Sequence, residues 1–199
     1  VEADYIDYHN NHILLVSINE GAGEIIVRCD GEVETNDTAG IMGRHGGHVP
    51  LWYFLRPTAL TEPTREIQAL ARSAVVEGDD LLATLHALST KVLAAVQYDI
   101  GHTDSATTAD AALAAGHGVC QDHAHVFIAA ARSLGIPARY VSGYLMLTDR
   151  VEQEASHAWA EAHVEGLGWV GFDISNGISP DLRYVRVATG ADYAEAAPI

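Results

Sequence analysis

Three residues far apart in the sequence have side chains that together support nucleophilic catalysis: Cys120, His157 and Asp173. A cysteine becomes an effective nucleophile when a histidine takes its proton, and a carboxylate can hold that histidine in the required tautomer and orientation. The predicted chemistry is attack of Cys120 on an amide or ester carbonyl to form a thioester, which water or an amine then resolves. Taken singly, each residue also has a plainer interpretation, because cysteine is often a small core residue, histidine can be half-buried in a strand, and aspartate can cap a turn.

Cys120 is predicted to lie at or next to the N-terminus of a helix. A flexible turn at 116–118 precedes it, apolar residues recur at helical spacing over 124–134, and Gly135 and Pro137 then end the helix. Backbone N–H groups are unpaired at a helix start, and the helix dipole there favours an anion such as a thiolate. The backbone N–H of Cys120 is therefore the predicted donor to a developing oxyanion.

His157 and Asp173 are predicted to meet across a β-hairpin. Strands over 157–164 and 169–174 flank the turn at 165–168. A turn centred on Glu165 and Gly166 pairs positions whose numbers sum to about 331, and directly opposed side chains lie about 4.5–5.5 Å apart at Cβ. The numbers of His157 and Asp173 sum to 330. We therefore expect the carboxylate to lie beside the imidazole, with the other ring nitrogen facing Cys120.

Composition excludes some classes of partner. The chain has 199 residues, a formal charge of −16 and 48% hydrophobic residues, which suits one globular domain with or without a small appendage. The negative charge argues against nucleic acid and anionic membranes as partners. No run of about 18 apolar residues is present, so no membrane span is predicted. Without a signal segment a cytoplasmic location is expected, although Val1, which is not a start methionine, leaves open a leader removed upstream.

The first sixty residues read as β structure followed by a linker. Runs rich in β-branched residues predict strands over 13–18 and 24–29, and the alternating segment 32–35 extends or pairs with the second strand. Cys29 falls in the second predicted strand and is interpreted as a packing residue, although a disulfide with Cys120 is possible.

The remainder is predicted to contain helices followed by an antiparallel sheet. The predicted elements are helices over 61–78, 79–96, 107–116 and from Cys120 to Leu134, then strands over 138–147, 157–164 and 169–174. This order indicates an α+β fold, with a partial N-terminal β domain and linker over 1–60 and a catalytic core over 61–199.

Metal binding is the main local alternative. His45 and His48 lack a carboxylate or cysteine at ligand spacing, and His123 and His125 point about 200° apart on a helix, so they do not easily share an ion with Cys120. The acidic segment 149–155 lacks the alternating oxygen ligands of a calcium loop. We therefore predict neither a metal nor a cofactor, and a metalloprotein remains a third hypothesis.

Four ordered motifs carry a family resemblance. They are Gly-Val-Cys-Gln-Asp-His-Ala-His at 118–125, Gly-Ile-Pro-Ala-Arg-Tyr-Val-Ser-Gly-Tyr at 135–144, His-Ala-Trp-Ala-Glu at 157–161 and Gly-Trp-Val-Gly-Phe-Asp at 168–173. Together they resemble the bacterial transglutaminase-like superfamily, whose members include candidate cysteine proteases. The resemblance covers about residues 95 to 198. The N-terminal β segment is similar to the later part of that family's N-terminal β domain, so the front of that domain is expected to be missing.

The resemblance implies a papain-like core with defined roles for the three residues. Cys120 would be the nucleophile, His157 the base and Asp173 the residue that orients it. Trp159 and Trp169 fall in the same motifs and are interpreted as packing around the site. The family usually has arginine where Ala191 stands, so any salt bridge made by that arginine is in doubt here. Gln97 or Tyr98 is a further candidate for a second oxyanion donor.

The predicted function is a thiol-dependent acyl-transfer enzyme that acts on amide bonds, more as a hydrolase than as a cross-linker. Its substrate would be a peptide, a protein or a small amide, and the oligomeric state is not predicted. The alternative is a binding or scaffold domain of the same fold without turnover. Reaction of Cys120 with iodoacetamide, and its dependence on His157, separates the two.

Overall fold

The computed structural model describes residues 1–18, 21, 23–28, 30–78, 80–146 and 156–197. In chain order the elements are β1 (Ala3–Ile6), β2 (His12–Leu15), β3 (Ile41–Gly43), a 3₁₀ helix (Leu51–Leu55), α1 (Arg65–Ser73), α2 (Leu81–Ala95), β4 (Gln97–Tyr98), α3 (Ala109–Ala115), β5 (His117–Gly118), α4 (Cys120–Ser133), β6 (Ala138–Leu145), β7 (His157–Val164), β8 (Gly168–Phe172), β9 (Tyr184–Gly190) and α5 (Tyr193–Ala196). Within these ranges no helix is both long and apolar enough to cross a membrane.

An antiparallel five-stranded sheet of order β3-β8-β7-β6-β9 forms the centre of the fold. The main hydrophobic core lies between one face of this sheet and the helices, with α4 innermost: its residues from Asp122 to Arg132 are all buried. The predicted α+β architecture of helices packed on an antiparallel sheet is confirmed.

Alternation along β7 separates the packing face of the sheet from the opposite face. Ala158, Ala160 and Ala162 belong to the core beside α4. Because successive side chains of a strand point to opposite faces, His157 and Glu161 lie on the other face. Small side chains at the alanine positions let the helix approach the sheet closely.

The N-terminus of α4 is held by a side-chain cap. Asp122 Oδ2 accepts a hydrogen bond of 2.8 Å from the backbone N–H of Val119 and another of 2.7 Å from the hydroxyl of Thr103. Gly118 is required at this point, because a Cβ there would lie 2.7 Å from Asp122 Oδ2. The helix ends before Gly135, whose φ of +78° suits glycine. The predicted helix from Cys120 is thus confirmed.

The helices before α4 also begin near their predicted starts. Thr64 is the N-cap of α1, and the side chains of Asp80 and Thr108 cap α2 and α3 by accepting hydrogen bonds from backbone N–H groups. The first helix is shorter than predicted, since it ends at Ser73 rather than at Gly78.

The N-terminal strand predictions are partly wrong. The predicted strand 13–18 corresponds to β2, which covers only His12–Leu15 and pairs with β1, an element that the sequence pattern did not predict. Residues 23–28 and 32–35 form no strand. A strand needs backbone hydrogen bonds to a neighbouring strand as well as propensity, and these segments form none with the described part of the chain. The side chain of Thr35 does donate a hydrogen bond to Leu182 O at 2.9 Å. Cys29 and the acidic segment 149–155 lie outside the described residues.

One strand of the central sheet comes from the segment that was predicted as a linker. β3 pairs with β8 through Ile41 and Gly43. Phe54, from the 3₁₀ helix, is buried and packs edge-on at 5.1 Å against Trp169 of β8. Part of the segment 1–60 is therefore attached to the sheet itself, and the division of the chain at residue 60 stays a prediction.

Candidate active site

Cys120 is the first residue of α4 and is half-buried. Its backbone N–H, in the first turn, has no carbonyl partner inside the helix, so it is free to bind an oxyanion. It lies close enough to the ring of His157 to be one of the groups that raise the pKa of that ring. Cys120 and His157 are therefore neighbours in the fold, and their roles as nucleophile and base stay a prediction.

His157, the first residue of β7, bonds to Asp173 through its other ring nitrogen. His157 Nε2 donates a hydrogen bond of 2.6 Å to Asp173 Oδ2, which leaves Nδ1 for Cys120. The His157 side chain retains 14% exposure and that of Asp173 has none. His157 thus lies between Cys120, which influences its pKa, and Asp173, which accepts its hydrogen bond.

The hairpin register differs from the predicted one by a single residue. Ala160 pairs with Phe172, so paired numbers sum to 332 rather than 331. Continued by one step, this register sets Asp173 opposite Trp159 and not opposite His157. His157 and Trp159 share a face, because side chains alternate with period two, and Asp173 therefore reaches His157 as a diagonal neighbour. Asp173 does lie beside His157, but the prediction that the two residues are directly opposed was wrong.

Asp173 is held by two further side chains that the sequence pattern did not indicate. The Tyr184 hydroxyl and the Asn176 amide donate to Oδ2 at 2.6 and 2.7 Å, and the Asn176 backbone N–H donates to Oδ1 at 3.2 Å. Burial raises the pKa of Asp173, but the hydrogen bonds from His157, Tyr184 and Asn176 outweigh burial and lower it below its usual value. The carboxylate is thus ionised at neutral pH.

Of these two contacts with Asp173, only that of Asn176 could have been expected from the sequence. Asn176 follows Asp173 by three residues, and aspartate commonly accepts hydrogen bonds from the turn just after it. Tyr184 opens β9, which pairs with β6 rather than with β7 or β8. Its approach to Asp173 depends on the order of strands in the sheet, so no local pattern indicates it.

The protonated ring of His157 is stabilised by its two partners. Burial alone would lower its pKa, but the hydrogen bonds to Asp173 and Cys120, together with the charges of both groups, raise the pKa of His157 from 6.5 to about 9. The protonated imidazolium is therefore the state of His157 that its surroundings favour.

His123 and His125, the two other histidines of α4, serve the core. His123 donates from Nε2 to Val96 O at 2.7 Å and accepts at Nδ1 from Ser175 at 2.8 Å. His125 accepts at Nε2 from the backbone N–H of Tyr193, and burial lowers its pKa to about 3. In the described ranges no three His, Cys, Asp or Glu side chains are grouped as metal ligands.

The two tryptophans of the motifs lie in different places. The Trp159 ring lies 6.3 Å from that of His157, as expected for packing around the site. Trp169 lies near the other end of the hairpin, 5.1 Å from Phe54 and with the guanidinium of Arg139 4.0 Å above its ring. Its predicted position around the site is therefore wrong, because it occupies the end of β8 remote from Asp173.

The remaining candidate positions, Gln97, Tyr98 and Ala191, have defined surroundings. β4, which contains Gln97 and Tyr98, pairs in parallel with β5, and β5 ends two residues before Cys120. Burial, aided by Cys120 and Asp173, raises the pKa of Tyr98, so its hydroxyl stays a donor. A role for either residue in the oxyanion site stays a prediction. Ala191, where the family usually has arginine, contributes its carbonyl to Arg132 at 2.6 Å.

Residues 68–174, which include Cys120, His157 and Asp173, match the family model of the transglutaminase-like superfamily. Uncharacterized proteins of Mycobacterium tuberculosis and Mycobacterium leprae are 34% and 32% identical over 155 and 150 residues. Each match covers 73% of this chain, and 48% and 53% of the respective relative. The chain thus spans about half the length of the curated relatives it matches.

Two solved structures are similar in fold. A candidate cysteine protease from Cytophaga hutchinsonii is 33% identical with a TM-score of 0.64, over 74% of this chain and 49% of its own. The periplasmic domain of TgpA from Pseudomonas aeruginosa, bound to ethylmercury, is 25% identical with a TM-score of 0.50, over 65% of this chain and 50% of its own. Since the family model matches more than half of the residues, this chain belongs to the transglutaminase-like superfamily.

Proposed function

We propose that the protein is a thiol-dependent acyl-transfer enzyme in which Cys120, His157 and Asp173 form the catalytic triad. The observation that supports this most directly is the 2.6 Å hydrogen bond from His157 to the buried Asp173, on a ring that also lies near Cys120 at the start of α4. Cysteine at the start of a helix, a histidine with a raised pKa and a buried carboxylate are the parts that nucleophilic catalysis needs.

The proposed acylation step begins with proton transfer from Cys120 to His157. The thiolate attacks the carbonyl carbon of an amide, a C–S bond forms, and the carbonyl π electrons move to oxygen as an oxyanion. The Cys120 N–H at the start of α4 stabilises that charge. The oxyanion then collapses, the C–N bond breaks, and the proton held by His157 passes to the leaving amine. Asp173 keeps the ring oriented throughout.

Deacylation repeats these roles with a second nucleophile. His157 takes a proton from water, the hydroxide attacks the thioester, and the C–S bond breaks to release a carboxylic acid while the sulfur is reprotonated. An amine in place of water would give a new amide instead. We propose hydrolysis of a peptide, isopeptide or small amide bond as the main outcome, in keeping with the similarity to a candidate cysteine protease.

The rate of alkylation of Cys120 by iodoacetamide as a function of pH tests this proposal. A free thiol is only a few per cent thiolate at pH 7, so a thiolate–imidazolium pair should alkylate on the order of tenfold faster than a cysteine peptide. His157→Ala should remove that excess. His163→Ala, on the same strand and face but at the far end of the hairpin, is the matched control and should retain it.

The proposal fails if Cys120 alkylates no faster than the cysteine peptide at neutral pH. The alternative of a silent scaffold domain would then hold. If the excess is present, an activity-based probe that captures the acyl-enzyme from cell extract identifies the acyl group by mass spectrometry.

A further inference from the structure

A second polar site lies on the face of the sheet opposite α4. It is a cavity of about 270 Å³ whose walls include Arg44, Arg139, Arg186, His9 and the glycines at 46–47. None of its lining residues is acidic. Arginines are concentrated here although the chain has a formal charge of −16. The catalytic role of Cys120 does not involve this cavity.

The cavity is separated from the triad along β7. Its two inner arginines are bound to Glu161, which follows His157 by four residues on the same strand. At about 3.3 Å per strand residue, that spacing is roughly 13 Å. The cavity is therefore a candidate site in its own right.

The charges around the cavity do not balance. Glu161 is fully buried and accepts from Arg139 Nε at 2.7 Å and from Arg186 Nε at 2.9 Å, so one carboxylate faces two guanidinium groups. Arg44 adds a third positive charge at the exposed edge, and none of the ion pairs found in the described residues includes it. Glu195, which accepts from His9, is a second carboxylate near the wall, so three arginines face two carboxylates. This excess of positive charge attracts an anion.

The inner wall is held rigidly by packing. Arg139 is only 7% exposed, its guanidinium lies 4.0 Å above the Trp169 ring, and Glu161 fixes its Nε and Nη2. A guanidinium has five N–H donors in a fixed plane, so the donors not used by Glu161 are already oriented before a ligand arrives. Such preorganisation reduces the entropic cost of binding.

The histidine at the cavity wall has an unused ring nitrogen. His9 is 8% exposed, its Nε2 donates to Glu195 at 2.7 Å, and its Nδ1 is buried with no hydrogen-bond partner within the described ranges. Buried polar atoms are rarely left unsatisfied in folded proteins. With Nε2 donating to Glu195, Nδ1 would donate to an anion only from the doubly protonated ring, so this nitrogen marks the wall as polar and the arginines carry the inference.

From these observations we infer that the cavity binds a small oxyanion, either a phosphate group or the carboxylate of a small organic acid. Guanidinium groups bind both through paired N–H···O bonds. At about 30 Å³ of liquid volume per water, the cavity has room for several waters or for one such anion. Arg139 and Arg186 form the inner donors, and Arg44 closes the outer edge.

Titration calorimetry of the full chain with inorganic phosphate and with succinate tests the inference. Saturable one-site binding of either anion is expected, with no such binding of chloride at equal ionic strength. Arg44→Gln should weaken the affinity at least tenfold. Arg65→Gln, an exposed arginine on α1 at the other side of the sheet, is the matched control and should leave the affinity unchanged.

Absence of saturable binding by both anions overturns the inference, as does equal weakening in Arg44→Gln and Arg65→Gln, which would indicate only general charge screening. Because Arg44 is exposed, its variant should fold, and circular dichroism checks this. Cys120 alkylation should be normal in Arg44→Gln, so failure of the anion site and failure of the proposed catalysis are distinguishable.

Discussion

The hydroxyl of Tyr184 donates a hydrogen bond of 2.6 Å to Asp173 Oδ2, the same oxygen that accepts from His157. Tyr184 is buried and its ring packs 6.0 Å from that of His157. The carboxylate is therefore positioned from β9 as well as from β7, and the geometry of the proposed triad depends on a strand on the other side of β6.

The first prediction concerns Tyr184→Phe, which removes one donor from a buried carboxylate. We expect the free energy of unfolding to fall by about 1–3 kcal/mol and the pKa of Asp173 to rise, because the ionised form loses a hydrogen bond. Tyr144→Phe, which removes an exposed hydroxyl on β6, is the control. Denaturant unfolding and the pH profile of Cys120 alkylation provide the measurements, and equal stability of both variants would contradict the prediction.

The second prediction concerns pH. The pKa of His157 is raised to about 9 in the folded protein, so the protonated ring stabilises the fold. This contribution is fully present below the unfolded value of about 6.5 and is lost as the pH rises through 9. Turnover that needs the imidazolium as an acid should decline above about pH 9, because the ring then loses the proton that it must give to the leaving amine. Titration of the His157 ring protons by NMR should show the same midpoint, and a midpoint near 6.5 would contradict the prediction.

The third prediction tests the carboxylate of the triad. Asp173→Asn keeps the shape but removes the charge and presents an amide to His157. The pKa of His157 should fall from about 9 towards 6.5, since two of the causes that raise it are lost. Activity should fall on the order of 10²–10⁴-fold, the range typical of general acid–base groups. A pH–rate profile of the variant, compared with that of the wild type, gives both quantities.

The fourth prediction concerns Gly118, which permits the cap of α4. A Cβ on Gly118 would lie 2.7 Å from both Cβ and Oδ2 of Asp122, so Gly118→Ala should displace the cap and the helix start that holds Cys120. We expect a loss of about 1–3 kcal/mol in stability and slower alkylation. Gly31→Ala, where no atom lies within 4 Å of the new Cβ, is the control. Unchanged alkylation in Gly118→Ala would show that the helix start tolerates the shift.

The fifth prediction contrasts a buried ion pair with an exposed one. Glu161→Ala leaves Arg139 buried without its carboxylate, which should cost about 3–5 kcal/mol of unfolding free energy. Asp181→Ala breaks an exposed pair with Arg183 and should have a much smaller effect, because solvent screens that pair. Thermal or denaturant unfolding of both variants measures the two losses of unfolding free energy. Losses of similar size would contradict the prediction.

Local features of the sequence were sufficient to place Cys120 at the start of a helix. The start of α4 at Cys120 and its end before Gly135 depend on hydrogen bonds and on dihedral preferences within a few residues, which a periodic pattern with glycine punctuation records directly. The hairpin from His157 to Asp173 is similarly local. Its period of two made the two residues candidates for contact, although a one-residue difference in register changed which positions face each other.

Long-range strand pairing determined the rest. Tyr184 reaches Asp173, β3 joins β8, and Arg139 with Arg186 surrounds Glu161 only because the sheet order is β3-β8-β7-β6-β9. The contacts of these residues cannot be predicted from neighbouring positions in the sequence, because burial and hydrogen bonding over the whole domain determine which strands pair. The sequence alone thus named Cys120, His157 and Asp173 as candidates, because their types and local settings are legible in short stretches of chain. The tertiary structure decided which side chains surround them and where the arginines accumulate, because those contacts join distant strands.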